Sequence, residues 1–264
     1  MNACTKLPSA ATVQLGKLAN QSNCYSYSVR LSARLYSAQR PIKLSSKFSG
    51  SSQQWLRRQM KDPYVLKATE MNYRSRSVFK LMEMDDKLQL LAPGMTVLDL
   101  GAAPGSWSQL MVERVNALQT QAGLPPGTVI GVDILSYIEP LEGACFLENA
   151  DIRSEKTKQR ILEALNGRRA HAIFSDMAPN ASGDKKTDQQ RIVALAYLSL
   201  KLSVTQWLRP KGSFLVKLWS GQSDQQFVSD CEKLFDFVKM IKPESSRNDS
   251  AEIYLVAMGL KTIQ

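Results

Sequence analysis

From Asp62 onward, short apolar runs alternate with stretches of helical periodicity, and a chain written that way has few ways to fold. The runs that read as strands are 95–101, 128–135, 145–150, 170–177, 212–219, 235–242 and 252–260. Helices are expected near 75–88, 105–118, 154–166, 188–208 and 223–234. Strands alternating with helices require right-handed crossovers and a mainly parallel sheet covered on both faces. Only nine residues, 243–251, join the last two runs, too few for a crossover helix, so these two form an antiparallel hairpin. The result is one α/β domain with one reversed strand at the end of a doubly wound sheet.

That reversal has a geometric consequence. A residue opening an antiparallel strand lies beside the carboxyl ends of its parallel neighbours, the edge where open α/β sheets hold their ligands. Glu252 opens such a strand. At the same edge the first run passes into Gly101-Ala102-Ala103-Pro104-Gly105-Ser106-Trp107, a strand leading into a small-residue turn and then a helix. Small residues there let the backbone approach a ligand closely. The turn departs from G-x-G-x-x-G, because Ala103 stands where a glycine would admit a pyrophosphate, which argues against a dehydrogenase. Asp133, ending the second run, is placed to accept hydrogen bonds from ribose hydroxyls. Asp151 and the backbone N–H of Ile152, after the third, are placed to read an adenine edge. An adenosine ligand without phosphates fits these features better than a dinucleotide.

A second group is chemical. Asp176 ends an apolar strand, and Lys217 sits inside Phe214-Leu215-Val216-Lys217-Leu218-Trp219, a run expected to be buried on both faces. Burial disfavours a lysine's charge and neighbouring carboxylates favour it, so such an ammonium can be tuned or aimed for proton transfer. Asp176, Lys217 and Glu252 converge on one sheet edge by topology alone. A structural ion-pair network would carry the same residues.

The stretches 73–81 (Tyr-Arg-Ser-Arg-Ser-Val-Phe-Lys-Leu), 99–109, 175–180 (Ser-Asp-Met-Ala-Pro-Asn), 212–217, 242–247 and 252–254 resemble, in order and spacing, the FtsJ/RrmJ-type ribosomal RNA 2′-O-methyltransferases. The likeness runs from about Lys61 to Lys261 and is greatest to the mitochondrial large-subunit rRNA uridine 2′-O-methyltransferases. It implies a single-domain Rossmann-like class I methyltransferase fold, with a seven-stranded, mostly parallel sheet containing one antiparallel strand and helices on both faces. It also implies S-adenosylmethionine as cofactor, large-subunit ribosomal RNA or a pre-ribosomal particle as substrate, a monomer, and no metal. The Lys-Asp-Lys-Glu tetrad of the family falls on Lys80, Asp176, Lys217 and Glu252. The cofactor residues fall on Pro104, Gly105, Ser106 and Trp107, with Asp133, Asp151 and Asp176. Ser106 stands where the bacterial pattern has a second glycine and is expected to cap the following helix.

Charge locates the chain. No Asp or Glu precedes Asp62, whereas ten Lys and Arg do, leaving twenty-four basic against twenty-four acidic residues in the rest. An acid-free segment rich in Ser, Ala, Gln and Asn has the composition of a mitochondrial transit peptide. Arg34-Leu35-Tyr36-Ser37 resembles a matrix-protease site, giving a leader 1–36, a basic arm 37–61 and a methyltransferase domain 62–264 in the mitochondrial matrix. A cytosolic or nuclear tail is the bland alternative. The arm's six positive charges suit a salt-sensitive hold on a polyanion. No run there has the length of a secretory or membrane segment.

Four cysteines without a C-x-x-C pair, and one histidine, exclude disulfide scaffolds and give zinc or Ser-His-Asp chemistry little to build from. His171 reads as a strand-edge packing residue, Cys145 and Cys231 as core, and Trp55, Trp207 and Trp219 as packing. Arg74, Arg76 and Lys80 read either as contacts to RNA phosphates or as a solvated helix face. Two other functions stay open at this point: a catalytically silent ribosome-assembly factor, and a 2′-O-methyltransferase for transfer RNA or an mRNA cap.

Overall fold

The computed structural model describes residues 61–180, 182–221, 224–247 and 250–262. The expected leader, the arm apart from Lys61, and Trp55 lie outside the described residues. Seven strands form one sheet: β1 (Thr96–Leu100), β2 (Thr128–Val132), β3 (Ala144–Leu147), β4 (Ala170–Ser175), β5 (Leu208–Trp219), β6 (Phe235–Ile241) and β7 (Glu252–Leu260). Their order is β3-β2-β1-β4-β5-β7-β6. The first five pair in parallel, and β7 runs antiparallel to both β5 and β6. The expected reversed strand is present, inserted between β5 and β6 rather than lying outside them.

Six α-helices occur among the described residues: α1 (Pro63–Glu70), α2 (Val78–Leu88), α3 (Ser106–Arg114), α4 (Glu155–Leu165), α5 (Lys185–Leu202) and α6 (Asp224–Leu234). The period-2 alternation of the strands divides the core into two layers. Val97, Val129, Ala172, Phe174, Leu215, Tyr254 and Val256 face α1, α2 and α3. Leu98, Leu100, Ile130, Ile173, Phe214, Val216 and Leu255 face α4, α5 and α6, where Ile161, Leu200 and Phe227 meet them. Each Val, Leu, Ile or Phe side chain so buried stabilises the fold by about 1.5–3 kcal/mol.

Several elements differ from expectation, among them β2, which ends at Val132, and α3, which ends at Arg114. Helix α1 was not anticipated, although Pro63 at its first turn and the Asp62 carboxylate, accepting from Tyr64 N at 3.0 Å, form a helix start. Helix α5 stops at Leu202 and passes through a five-residue π turn, Ser203–Trp207, into a β5 that begins at Leu208. A register shift between Ala170 and Ala172 of β4 takes up the extra residues. Strand β3 ends at Leu147, three residues short, and its Cys145 is half-buried rather than core, whereas Cys231 is buried. His171 lies on β4, where its Nδ1 accepts from Thr96 N at 3.0 Å and so pins the start of β1.

The register sets the ligand edge. Ser175 pairs with Val216, Lys217 with Tyr254, and Trp219 with Glu252, so the start of β7 stands beside the carboxyl ends of β4 and β5.

Candidate active site

The turn after β1 is built for close approach. Gly101 adopts φ +83°, and a Cβ there would lie 2.7 Å from Met177 Cγ and 3.0 Å from Met177 N, so the ends of β1 and β4 meet as closely as glycine allows. Gly105, at φ +104°, is the N-cap of α3. Ser106 does not cap the helix as expected. It occupies the first helical position, buried, with its Oγ 2.8 Å from both Ser75 Oγ and Ser77 Oγ. A side chain at that position points back over the preceding segment, so the hydroxyl joins α3 to the approach of α2. Trp107 is also buried and donates its Nε1 to Ser77 O at 2.8 Å.

Three carboxylates lie within or just beyond the strands at this edge. Asp133, directly after β2, accepts from Ala103 N and Leu135 N, both at 2.9 Å, and so ties the turn to the adjoining loop. Asp151 is gripped by Arg153, whose Nη2 lies 2.6 Å from Oδ2 and whose Nε and backbone N each lie 2.9 Å from Oδ1. Those hydrogen bonds hold the Asp151 carboxyl below its ordinary range. Ile152 beside it is buried. Asp99, inside β1, is fully buried: Ser108 Oγ donates to its Oδ2 at 2.6 Å, and its Oδ1 has no hydrogen-bond partner. Burial, with smaller contributions from Asp176 and Asp133 against the Ser108 bond, pushes its carboxyl up to about 7.

The four tetrad positions come together as two ion pairs. Lys217 Nζ lies 2.8 Å from Asp176 Oδ1 and also donates to the Asp176 backbone carbonyl. Lys80 Nζ lies 2.7 Å from Glu252 Oε1, which also accepts from Ser246 Oγ at 3.1 Å. The Asp176, Lys80 and Glu252 side chains keep 19%, 13% and 13% of their surface exposed, and Lys217 keeps 9%. Each is therefore mostly enclosed yet reachable from the sheet edge. Burial alone would raise the Asp176 carboxyl, but Lys217, Lys80 and hydrogen bonds from Lys217 and Tyr254 outweigh it and hold the group below its usual range.

Tyr254 escaped sequence reasoning, and Arg74 and Arg76 take a role that neither of their two readings gave. Tyr254 donates its hydroxyl to Asp176 Oδ1 at 2.8 Å and stands 3.5 Å from Lys80 Nζ; lying two residues after Glu252, it shares that residue's face of β7. Arg74 and Arg76 are engaged within the protein rather than free for phosphates. Arg74 donates to the carbonyls of Pro104, Glu139 and Pro140 at 3.1, 2.6 and 2.9 Å, binding the turn to the loop after β2. Arg76 pairs with Asp62 and with Ser245 O. Their partners lie 14 to 169 positions away in sequence, where spacing carries no signal.

Among the described residues no three His, Cys, Asp or Glu side chains gather as a metal-binding group, and no helix is long and apolar enough to cross a membrane.

Residues 73–260 match the model of the FtsJ-like methyltransferases. The chain is 43% identical over 226 residues to the mitochondrial rRNA methyltransferase 2 of Drosophila melanogaster, covering 86% of this chain and 89% of that one. It is 42% identical over 226 residues to the ribosomal RNA large subunit methyltransferase E of Xanthobacter autotrophicus, covering 84% and 85%. A crystal structure described as a ribosomal RNA methyltransferase from Plasmodium falciparum superposes with a TM-score of 0.62 at 27% identity, over 72% of this chain and all of that one.

Proposed function

This chain belongs to the FtsJ-like methyltransferase family, and we propose that it transfers a methyl group from S-adenosylmethionine to a ribose 2′-hydroxyl of mitochondrial large-subunit ribosomal RNA. The target nucleotide is taken to be a uridine, and the substrate the RNA or an assembling pre-ribosomal particle. Two curated relatives support the RNA class by their names, and the acid-free leader with the mitochondrial relative supports the matrix. In this reading residues 1–36 are removed, 37–61 form a basic arm and 62–264 the enzyme. It acts in this reading as a monomer, with the four tetrad side chains converging within one chain.

The residues fit the cofactor. An open turn of small residues, the carboxylates of Asp133 and Asp151 at neighbouring strand ends, and the unpartnered buried Oδ1 of Asp99 beneath them suit a polar, cationic nucleoside. Pro104, Gly105, Ser106, Trp107, Asp133, Asp151, Ile152 and Asp176 would hold it. When bound, S-adenosylmethionine supplies a methyl group already activated on sulfur.

What remains for the protein is to align a weakly acidic hydroxyl and manage its proton. The observation that carries the reading is the Lys217–Asp176 pair at the sheet edge, flanked by Lys80–Glu252. Asp176 aims Lys217 through its carboxylate and its carbonyl. The Lys217 ammonium then stabilises the charge developing on the oxygen as the methyl bond forms, and the hydroxyl proton passes to water late in the step. Lys80, turned inward by Glu252, guides the ribose.

The test is site-resolved ribose-methylation mapping of mitochondrial and cytosolic RNA from cells lacking the protein, rescued with wild type or Lys217→Ala. Loss of one site in the mitochondrial large-subunit rRNA, restored only by wild type, is the expected result. Persistence of every ribose methyl, with failed ribosome assembly that Lys217→Ala repairs, would replace this reading with a silent assembly factor.

A further inference from the structure

Tyr254 is the direct cross-strand neighbour of Lys217 in the β5–β7 register, and opposed residues of an antiparallel pair present their side chains on the same face. The tyrosine is fully buried, in a layer otherwise made of Val97, Phe174, Leu215 and Val256. A phenol in such surroundings is costly unless its hydroxyl is paired, and this one donates to Asp176 Oδ1 at 2.8 Å, the same oxygen that receives Lys217 Nζ at 2.8 Å. Its ring centroid lies 5.8 Å from that of Trp107, and Lys80 Nζ lies 5.9 Å from the ring centre. One side chain therefore touches both ion pairs and the helix that follows the glycine turn.

Asp176 follows the last residue of β4, and Lys217 carries a flexible four-carbon stem, so their mutual attraction alone leaves a direction undefined. A neutral donor of fixed orientation supplies it without adding charge. Burial, followed by Asp176 and Glu252, holds the Tyr254 phenol well above its ordinary value, so it remains a donor wherever the fold persists.

We propose that Tyr254 is a positioning residue of this site, whose hydroxyl fixes the Asp176 carboxylate, and through it the Lys217 ammonium, while its ring sets both against Trp107. The charged and titratable groups facing Asp176 are Lys217 from β5, Lys80 from α2, Tyr254 and Glu252 from β7, and Asp99 from β1. Of these, only Tyr254 is a neutral donor hydrogen-bonded to the carboxylate.

The test is Tyr254→Phe in the full chain, with Tyr254→Leu beside it. The kinetic arm rests on the methyl-transfer reading, and the titration arm does not. For Tyr254→Phe, kcat falls about tenfold while KM for cofactor and RNA stays within about threefold, as expected on losing one hydrogen bond to a charged group. A donor to the ionised form is gone, so the acid limb of the pH–rate profile moves up by about one unit. The Asp176 carboxyl, followed by 13C NMR in the ligand-free protein, moves the same way. Unchanged kcat and unchanged titration in Tyr254→Phe, with activity lost only in Tyr254→Leu, would reduce the residue to ring packing and overturn the proposal. A shifted titration with no RNA methylated even by wild type would sustain the positioning and overturn the methyl-transfer reading instead. A melting-temperature cycle needs no turnover: Tyr254→Phe costs less in an Asp176→Asn background than in wild type, and equal losses overturn the coupling.

Discussion

Asp99 and Asp176 belong to one edge and titrate in opposite senses. Asp99 is pushed from 3.8 up to about 7, above its unfolded value, so the stability it permits is full below about pH 4 and is lost as pH rises through 7. Asp176 is held below its ordinary value, so its contribution stands above the usual carboxylate range and is lost only as pH falls through its folded value. The two windows do not overlap. Asp99→Asn should therefore raise stability by about 1 kcal/mol near pH 4.5 and by on the order of 4 kcal/mol at most at pH 8. Urea denaturation at the two pH values measures this, and a variant no more stable than wild type at pH 8 contradicts it. At this scale the sequence was partly legible. Asp176, Lys217 and Glu252 could be brought together by topology because charges in apolar runs stand out. Tyr254 in Ile-Tyr-Leu-Val could not, since a tyrosine in such a run reads as core until its hydroxyl's partner is seen.

Among elements, the alternation of runs foretold every strand and five of the six described helices. It missed what depends on contacts distant in sequence. Arg74 shows this: three carbonyl acceptors, one on the glycine turn and two on the loop after β2, make it a clamp between elements. Arg74→Ala should weaken cofactor binding about tenfold, the effect of losing charged hydrogen bonds to one wall of the site. The salt dependence of RNA binding should be unchanged. Calorimetric titration with the cofactor, and RNA binding over a salt series, separate the two, and a loss confined to RNA would restore the phosphate reading. Gly131 is a second contact of this kind. A Cβ there would lie 2.4 Å from Phe146 Cδ1 and 2.9 Å from Ala102 Cβ, so Gly131→Ala should destabilise by about 1–3 kcal/mol in denaturant unfolding. An unchanged midpoint would mean that Phe146 swings aside.

Across the whole molecule, charge is divided by position: an acid-free, basic stretch, 1–61, precedes a body whose charges cancel. In the proposed enzyme the body contributes chemistry and the arm contributes hold. Replacing Arg40, Lys43, Lys47, Arg57, Arg58 and Lys61 by glutamine should lower RNA affinity at low salt and flatten the slope of log K against log salt by up to about 4. The kcat should be unaffected. A slope unchanged in filter-binding assays would remove the arm from RNA binding. Such segregation is legible from composition alone, because it depends on counting rather than on contacts.

The insertion of β7 also fixes an order of completion. Strands β1 to β5 can pair from earlier chain, but among the described residues the one hydrogen-bonding neighbour of β6 in the sheet is β7, which comes after it. A chain emerging N-terminus first, from a ribosome or through a translocation pore, thus has its cofactor turn and Lys217 before it has Glu252 and Tyr254. Until that last strand slots in, the nascent protein is a gapped sheet holding three of the four tetrad residues, so the proposed capacity to act waits on β7.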